Sequence, residues 1–149
     1  MSANVFNVSH EAAGVDLCFA ASLENIDKAI AETKAFLTRI HAQQYTFDVT
    51  LVLREALSNA VVDGCGQDPK MRVSCRLRFR GRRLIMEIED PGRGFNWRGR
   101  MGKLPPPEAE SGRGMVIMEH YCEMVSYNDK GNRLMMEKII RPGRGVAPK

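Results

Sequence analysis

From Met71 to Glu89 the chain alternates. In KMRVSCRLRFRG, Met71, Val73, Cys75, Leu77 and Phe79 take turns with Arg72, Ser74, Arg76, Arg78 and Arg80. Successive side chains of a strand point to opposite faces, so this pattern fits a strand with one apolar and one charged face. Gly81 to Arg83 turn the chain. LIMEIED then returns with Leu84, Met86 and Ile88 on the apolar side and Glu87 and Glu89 on the other. Such a hairpin needs a covering layer on one side only. The arginine row could follow a nucleic-acid backbone, but no aromatic side chains interleave as a stacking platform. A solvated face neutralised by Glu87 and Glu89 across the hairpin is the better account, and no direct nucleic-acid partner is expected.

What surrounds the hairpin supplies the cover. AGVDLCFAAS alternates, with Val15, Leu17, Phe19 and Ala21 on one face of a strand. Ser22 offers a helix N-cap, and Leu23, Ile26, Ile30, Leu37 and Ile40 recur at helical spacing over roughly 23–41. Thr46 is expected to cap a second helix with Val49, Val52, Leu53, Ala56 and Ala60 on its apolar face; Gly64 and Gly66 end it and Pro69 prevents its return. GRGMVIMEHY reads as a short helix, and CEMVSYND with NRLMMEKIIR as a closing hairpin around 129–131. Residues 1–12 carry little pattern and are read as an N-terminal tail, and 142–149 as a C-terminal tail. The domain then spans 13–141. Strands adjacent in sequence imply an α+β, two-layer sandwich: a mixed, mostly antiparallel sheet with helices on one face.

The bulk properties agree. A chain of 149 residues, 44% apolar and 27% charged, suits one core. No apolar run approaches the ~20 residues of a membrane span, and the N-terminus lacks a basic stretch followed by an apolar one, so a cytoplasmic protein is expected. Cys18, Cys65, Cys75 and Cys122 show neither C-x-x-C nor zinc-site spacing, and are expected to be reduced thiols, mostly buried. The net charge of +4 mildly favours an acidic partner, such as a nucleotide.

Three features carry candidate chemistry. In REALSNAVVDGCGQDP, Glu55, Asn59 and Asp63 interrupt an apolar helix at intervals of four, which places them on one face. Glu55 could act as a general base, and Asn59 offers the hard amide oxygen that suits magnesium. Next, EDPGRGF ends a strand: Asp90 can accept a hydrogen bond from an exocyclic amine, while Gly92 and Gly94 permit close backbone approach. Lastly, SGRGM opens a helix, where Gly112 and Gly114 leave N–H groups and the helix dipole open to an anion. The long Gly/Pro/Arg loop 91–111 lies between the two glycine elements, as a lid or binding loop would. Taken singly, each has a bland account: a salt bridge for Glu55, a helix-to-loop hydrogen bond for Asn59, a turn for Asp90. Neither a Walker nor a Rossmann signature is present.

Together, E-x-x-x-N-A on a helix, D-x-G-x-G-F after a strand and G-x-G-M opening a helix resemble the GHKL ATPases, the superfamily of DNA gyrase and the histidine kinases. SGRGMVIMEHYCEMVSYNDKGNRLMMEK looks like the serine/threonine kinases that act as anti-sigma factors, the RsbW and SpoIIAB type. The resemblance covers roughly 14–141. It implies a histidine-kinase-like ATPase fold that binds ATP and Mg2+, and phosphoryl transfer to a STAS-domain antagonist. It also implies a sigma factor as a further partner, and a homodimer. Carried over, Glu55 activates the substrate hydroxyl, Asn59 holds magnesium and Asp90 binds the adenine amine. Gly92, Gly94, Gly112 and Gly114 cradle the nucleotide. Arg113, from its position beside those glycines, is expected to neutralise phosphate charge, with Met115 next to it. Family members often have His-Gly where this chain has Asp63-Gly64, and Gly-Thr where it has Asn132. A non-catalytic nucleotide-dependent interaction module is the alternative.

Overall fold

The computed structural model describes residues 4–94 and 113–143, Arg113 by its backbone only. Six strands form one sheet in the order β1-β2-β3-β4-β6-β5, with every pairing antiparallel: β1 Phe6–Glu11, β2 Gly14–Ala20, β3 Arg72–Arg80, β4 Arg83–Glu89, β5 Met124–Tyr127 and β6 Arg133–Ile139. Three helices cover one face: α1 Leu23–Arg39, α2 Thr46–Ser58 and α3 Arg113–Tyr121. The alternation in β3 and β4 does what it dictates. Val73, Cys75, Leu77, Leu84, Met86 and Ile88 are buried with Leu17 and Phe19 from β2 and Leu134 and Met136 from β6. Against them pack Ile26, Ile30, Phe36 and Leu37 of α1 and Val49, Val52, Leu53 and Leu57 of α2. Each of these large side chains contributes about 1.5–3 kcal/mol of transfer free energy. Among the described residues no helix is long and apolar enough to cross a membrane.

The expected α+β architecture is present, with three local corrections. The tail expected over 1–12 is ordered in its second half, because Phe6–Glu11 forms edge strand β1. Its polar alternation hides the signal, and tertiary contacts hold it. Phe6 stacks on Phe19 with ring centroids 5.4 Å apart. The buried side chain of Asn25 donates from Nδ2 to Ala20 O at 2.8 Å, to Val5 O at 3.1 Å and to Asn4 Oδ1 at 2.9 Å. Second, Ser22 caps α1 as expected, accepting from the Asn25 N–H at 3.3 Å, but Leu23 is exposed. Third, Thr46 is not a cap. The cap position is Tyr45, and α2 grows out of a 3₁₀ turn, Gln43–Tyr45, whose winding already takes up early N–H groups, Tyr45 N–H on Ala42 O and Thr46 N–H on Gln43 O.

Lys138 is the polar exception on the helix-covered face of β6. It is only 8% exposed; its Nζ donates to Tyr121 O at 2.7 Å and lies 3.5 Å from Asp48 Oδ2. A cation at the last turn of α3 complements the helix dipole and takes up an otherwise unmade carbonyl bond. It clips the C-terminal end of α3 to the sheet and to the first turn of α2.

The outer sheet face carries the arginine row, but its partners are not those the hairpin alone suggests. Arg76 and Glu87 are opposite in register, yet Arg76 lies 3.4 Å from Asp16 on β2, and Glu87 pairs with Arg133 of β6 at 2.7 Å. Arg78 grips Asp16 with two nitrogens, at 2.7 and 3.2 Å, and reaches Glu11 at 3.0 Å. Gly14 makes this possible, since a Cβ there would lie 2.8 Å from the Arg78 side chain. Strands distant in sequence supply the acids, and no single-hairpin reading could show that.

The hydrogen bonds from Arg78 hold the Asp16 carboxyl below its ordinary value of 3.8, against a smaller opposing push from burial. A depressed folded-state pKa stabilises above the unfolded value and is lost as pH falls through the folded one. Asp16→Asn is therefore expected to cost about 1 kcal/mol at pH 7, discounted for the partial exposure of the pair. Urea midpoints of wild type and variant should converge as the pH falls below about 3.8. A gap that stays constant into strong acid would exclude the ion pair as its source.

Candidate functional site

Helix α2 does not stop at Ser58. It widens into a π-helical segment, Asn59–Gly64, in which the Cys65 N–H reaches five residues back to Ala60 O at 2.9 Å. The wider winding breaks the four-residue stripe read from the sequence. Glu55 and Asn59 remain half-buried, whereas Asp63 is exposed. The π segment costs helix regularity, and such insertions gather at functional sites. Neither the Glu55 carboxylate nor the Asn59 amide has a hydrogen-bond partner among the described residues.

Both side chains look at the start of α3. A Cβ on Gly114 would stand 3.0 Å from Glu55 Oε1 and 3.5 Å from Asn59 Nδ2. The first turn of α3, where a helix leaves its N–H groups without intrahelical partners and its dipole end is positive, therefore lies directly against the polar face of α2. Met115, the next residue, is buried.

The second cluster stands at the other end of the π segment. Asp90 follows β4 and is 9% exposed, with its Oδ1 accepting from the Gly92 N–H at 2.7 Å. Burial pushes its pKa up, and the Gly92 hydrogen bond pulls it back. Gly64 presses on the carboxyl: a Cβ there would meet Asp90 Cγ and Oδ1 at 2.5 Å. A Cβ on Gly92 would in turn strike Gly64 O. Only residues without side chains fit at 64 and 92, so the Asp90 carboxyl is packed backbone-close between the end of α2 and its own loop. Gly94 lies further along with φ at 81°, and a Cβ there would strike Lys130 O in the β5–β6 turn. Cys65 is buried nearby, and its thiol is pushed up to about 11, by burial first and by Asp90 second. All four cysteines are unpaired.

The fold thus gathers Glu55, Asn59 and Gly114 at one end of the π segment, and Asp90 and Gly92 at the other. Gly112 and loop residues 95–112 lie outside the described residues, as does the Arg113 side chain. Two participants escape the sequence reading. Gly64 is legible there only as a helix stop, since glycine at a helix end is too common to signal a tertiary contact. Asn132 donates from Nδ2 to Asp90 O at 2.8 Å, where the sequence shows only a departure from a familiar pattern.

Comparison with known proteins follows the same residues. Residues 19–138 match the family model described as a histidine kinase-like ATPase domain. The anti-sigma F factor of Shouchella clausii (strain KSM-K16) is 27% identical over 114 residues, covering 73% of this chain and 78% of that protein. The anti-sigma F factor of Anoxybacillus flavithermus (strain DSM 21510 / WK1) is 25% identical over 130 residues, covering 84% and 89%. The family match runs unbroken from β2 through α2, the Asp90 turn and α3 into β6, and the chain belongs to the histidine kinase-like ATPase domain family.

Proposed function

We propose that the protein is an ATP-binding serine/threonine-protein kinase of the anti-sigma type, a cytoplasmic partner-switching regulator. It phosphorylates a STAS-domain antagonist, sequesters a sigma factor and acts as a homodimer. One observation carries the catalytic part: Glu55 and Asn59, half-buried and without partners among the described residues, face the start of α3 across the bare Cα of Gly114. An amide beside a helix N-terminus suits a phosphate-bearing ligand, and an acid held next to it suits a proton acceptor. The anti-sigma part rests on the two similar proteins bearing that name.

The residues fit ATP at both ends. With Oδ1 of Asp90 taken by Gly92, Oδ2 is left to accept from the adenine 6-amino group. Gly92, Gly94, Gly112 and Gly114 let backbone N–H groups approach the phosphates, flanked by Met115, and Arg113 neutralises their charge. Among the described residues no group of three or more His, Cys, Asp or Glu side chains is arranged to hold a metal. A magnesium ion shared with phosphates needs only one or two protein ligands, and Asn59 supplies the amide oxygen. When bound, ATP with its magnesium supplies the γ-phosphoryl group. Glu55 would then take the proton that a partner's serine or threonine hydroxyl loses as its oxygen bonds the γ-phosphorus and ADP departs, with positioning and charge stabilisation supplying the rest.

The decisive assay is transfer of labelled phosphate from ATP to purified STAS-domain proteins. Glu55→Gln is expected to bind ATP within about twofold of wild type and to slow transfer by roughly 10²–10⁴-fold. A wild type that binds ATP and partner yet transfers nothing is instead a non-catalytic, nucleotide-dependent interaction module.

Asn59 gives a separate prediction. Chelating magnesium should weaken ATP binding to wild type about tenfold or more, and leave Asn59→Ala, already weakened, nearly unaffected. Equal sensitivity of the two proteins to chelator, read by titration calorimetry, would move the metal away from Asn59.

Gly114→Val tests the close approach. The added side chain has only 3.0 Å to Glu55 Oε1, so it must displace either that carboxylate or the first turn of α3. ATP affinity is expected to fall at least tenfold while α3, tied at its other end by Lys138, keeps the fold melting cooperatively. Undiminished affinity would show that phosphates do not sit at this turn.

A further inference from the structure

The turn between β5 and β6 does more than reverse the chain. Strand β6 pairs with β4 through Glu89 and Arg133, and the ladder runs one step further, with the Asp90 N–H donating to Asn132 O at 3.0 Å. In an antiparallel pair of this kind the opposite N–H normally returns the bond. Here it does not: the Asn132 N–H turns away to Asn128 Oδ1, at 3.0 Å. The Asn132 side chain takes its place, giving Nδ2 to Asp90 O at 2.8 Å. Its Oδ1 in turn accepts from Asn128 Nδ2 at 2.9 Å. Asn128 is itself fixed, because its Oδ1 also gathers the N–H groups of Gly131 at 2.9 Å and Arg133 at 3.1 Å. An amide donates at one atom and accepts at the other, so one asparagine side chain can finish the ladder and be locked by the turn at once.

We propose that Asn132 is a positioning residue for adenine recognition: held by Asn128, its side-chain amide fixes the Asp90 backbone and so aims the Asp90 carboxylate. This rests on the nucleotide reading above and adds a residue to it. Asp90 is then held on three sides. Asn132 holds its N–H and carbonyl, the Gly92 N–H holds Oδ1, and the Cα of Gly64 closes the flank. Oδ2 is the oxygen with no partner among the described residues. The same turn braces the rest of the glycine loop, since Gly94 lies against Lys130 O where no Cβ would fit. Asn132 does not touch the nucleotide in this scheme. It sets the direction of the group that does.

The test compares ATP with purine riboside triphosphate, which lacks only the 6-amino group. Asn132→Ala is expected to lose about tenfold in ATP affinity, the size of a broken, partly buried hydrogen bond to a carbonyl, and less than about twofold in analogue affinity. In an Asp90→Ala background, adding Asn132→Ala should cost ATP nothing further. Should Asn132→Ala not fold, Asn128→Ala carries the same comparison. It removes no group that touches Asp90, and releases the Asn132 side chain together with the Gly131, Asn132 and Arg133 N–H groups that Asn128 gathers. Equal losses for both triphosphates, or no loss for either, would overturn the clamp while leaving a nucleotide site intact. A wild type that binds neither triphosphate would remove the nucleotide reading and this inference with it.

Discussion

The carboxyl of Asp90 lies against the Cα of Gly64 with no room for a methyl group between them. This contact joins the end of a helix to the end of a strand, and the rest of the site is arranged around it. Asp90 is placed by β4, which is placed by β3 and β6, so the whole sheet determines where the carboxyl stands. Gly64 is placed by the π-helical end of α2, whose start carries Asn59. Through a single backbone-close contact, the position of the helix residues is set relative to the strand residue. Ordinary α-helical winding up to Gly64 would rotate that glycine elsewhere, and the two clusters would lose their fixed relation.

The outer sheet face shows a different economy. Its arginines are numerous, yet Arg76, Arg78, Arg83 and Arg133 each lie within ion-pair distance of a carboxylate on a neighbouring strand. Exposed pairs of this kind contribute little individually. Their value is in register: a one-residue slip would carry every arginine into the core and every apolar side chain out. The charged face therefore enforces the alternation that the buried face uses.

Much of this is readable in the sequence, for identifiable reasons. Periods of two and of about 3.6 are imposed by burial, so β2, β3, β4, α1 and α2 announce themselves. The glycine elements, the acid-asparagine helix and their order expose the family. The unreadable parts come from contacts across long sequence separations. Strand β1 depends on Asn25 and Phe19, the partner of Arg78 is on β2, and the part played by Asn132 depends on a carbonyl 42 residues away. The π segment leaves no periodic trace, since six residues are too few to separate one winding from another. Asp63 shows the cost: it is the third member of a stripe on paper and an exposed residue in the fold.

The clip made by Lys138 has a mechanical meaning. With Tyr121 tied to the sheet, α3 is pinned at its C-terminal end, and its other end, at Gly114, packs against Glu55 and Asn59 of the α2 segment. The span from Tyr121 to Gly114 is about 10 Å long at 1.5 Å per residue, so a swing of about 10° would carry Gly114 by about 2 Å. A shift of that size is a large part of the 3.0 Å that would separate a Cβ at Gly114 from Glu55 Oε1. Fixing one end of a short helix turns small rotations of the sheet beneath it into changes of spacing at the other.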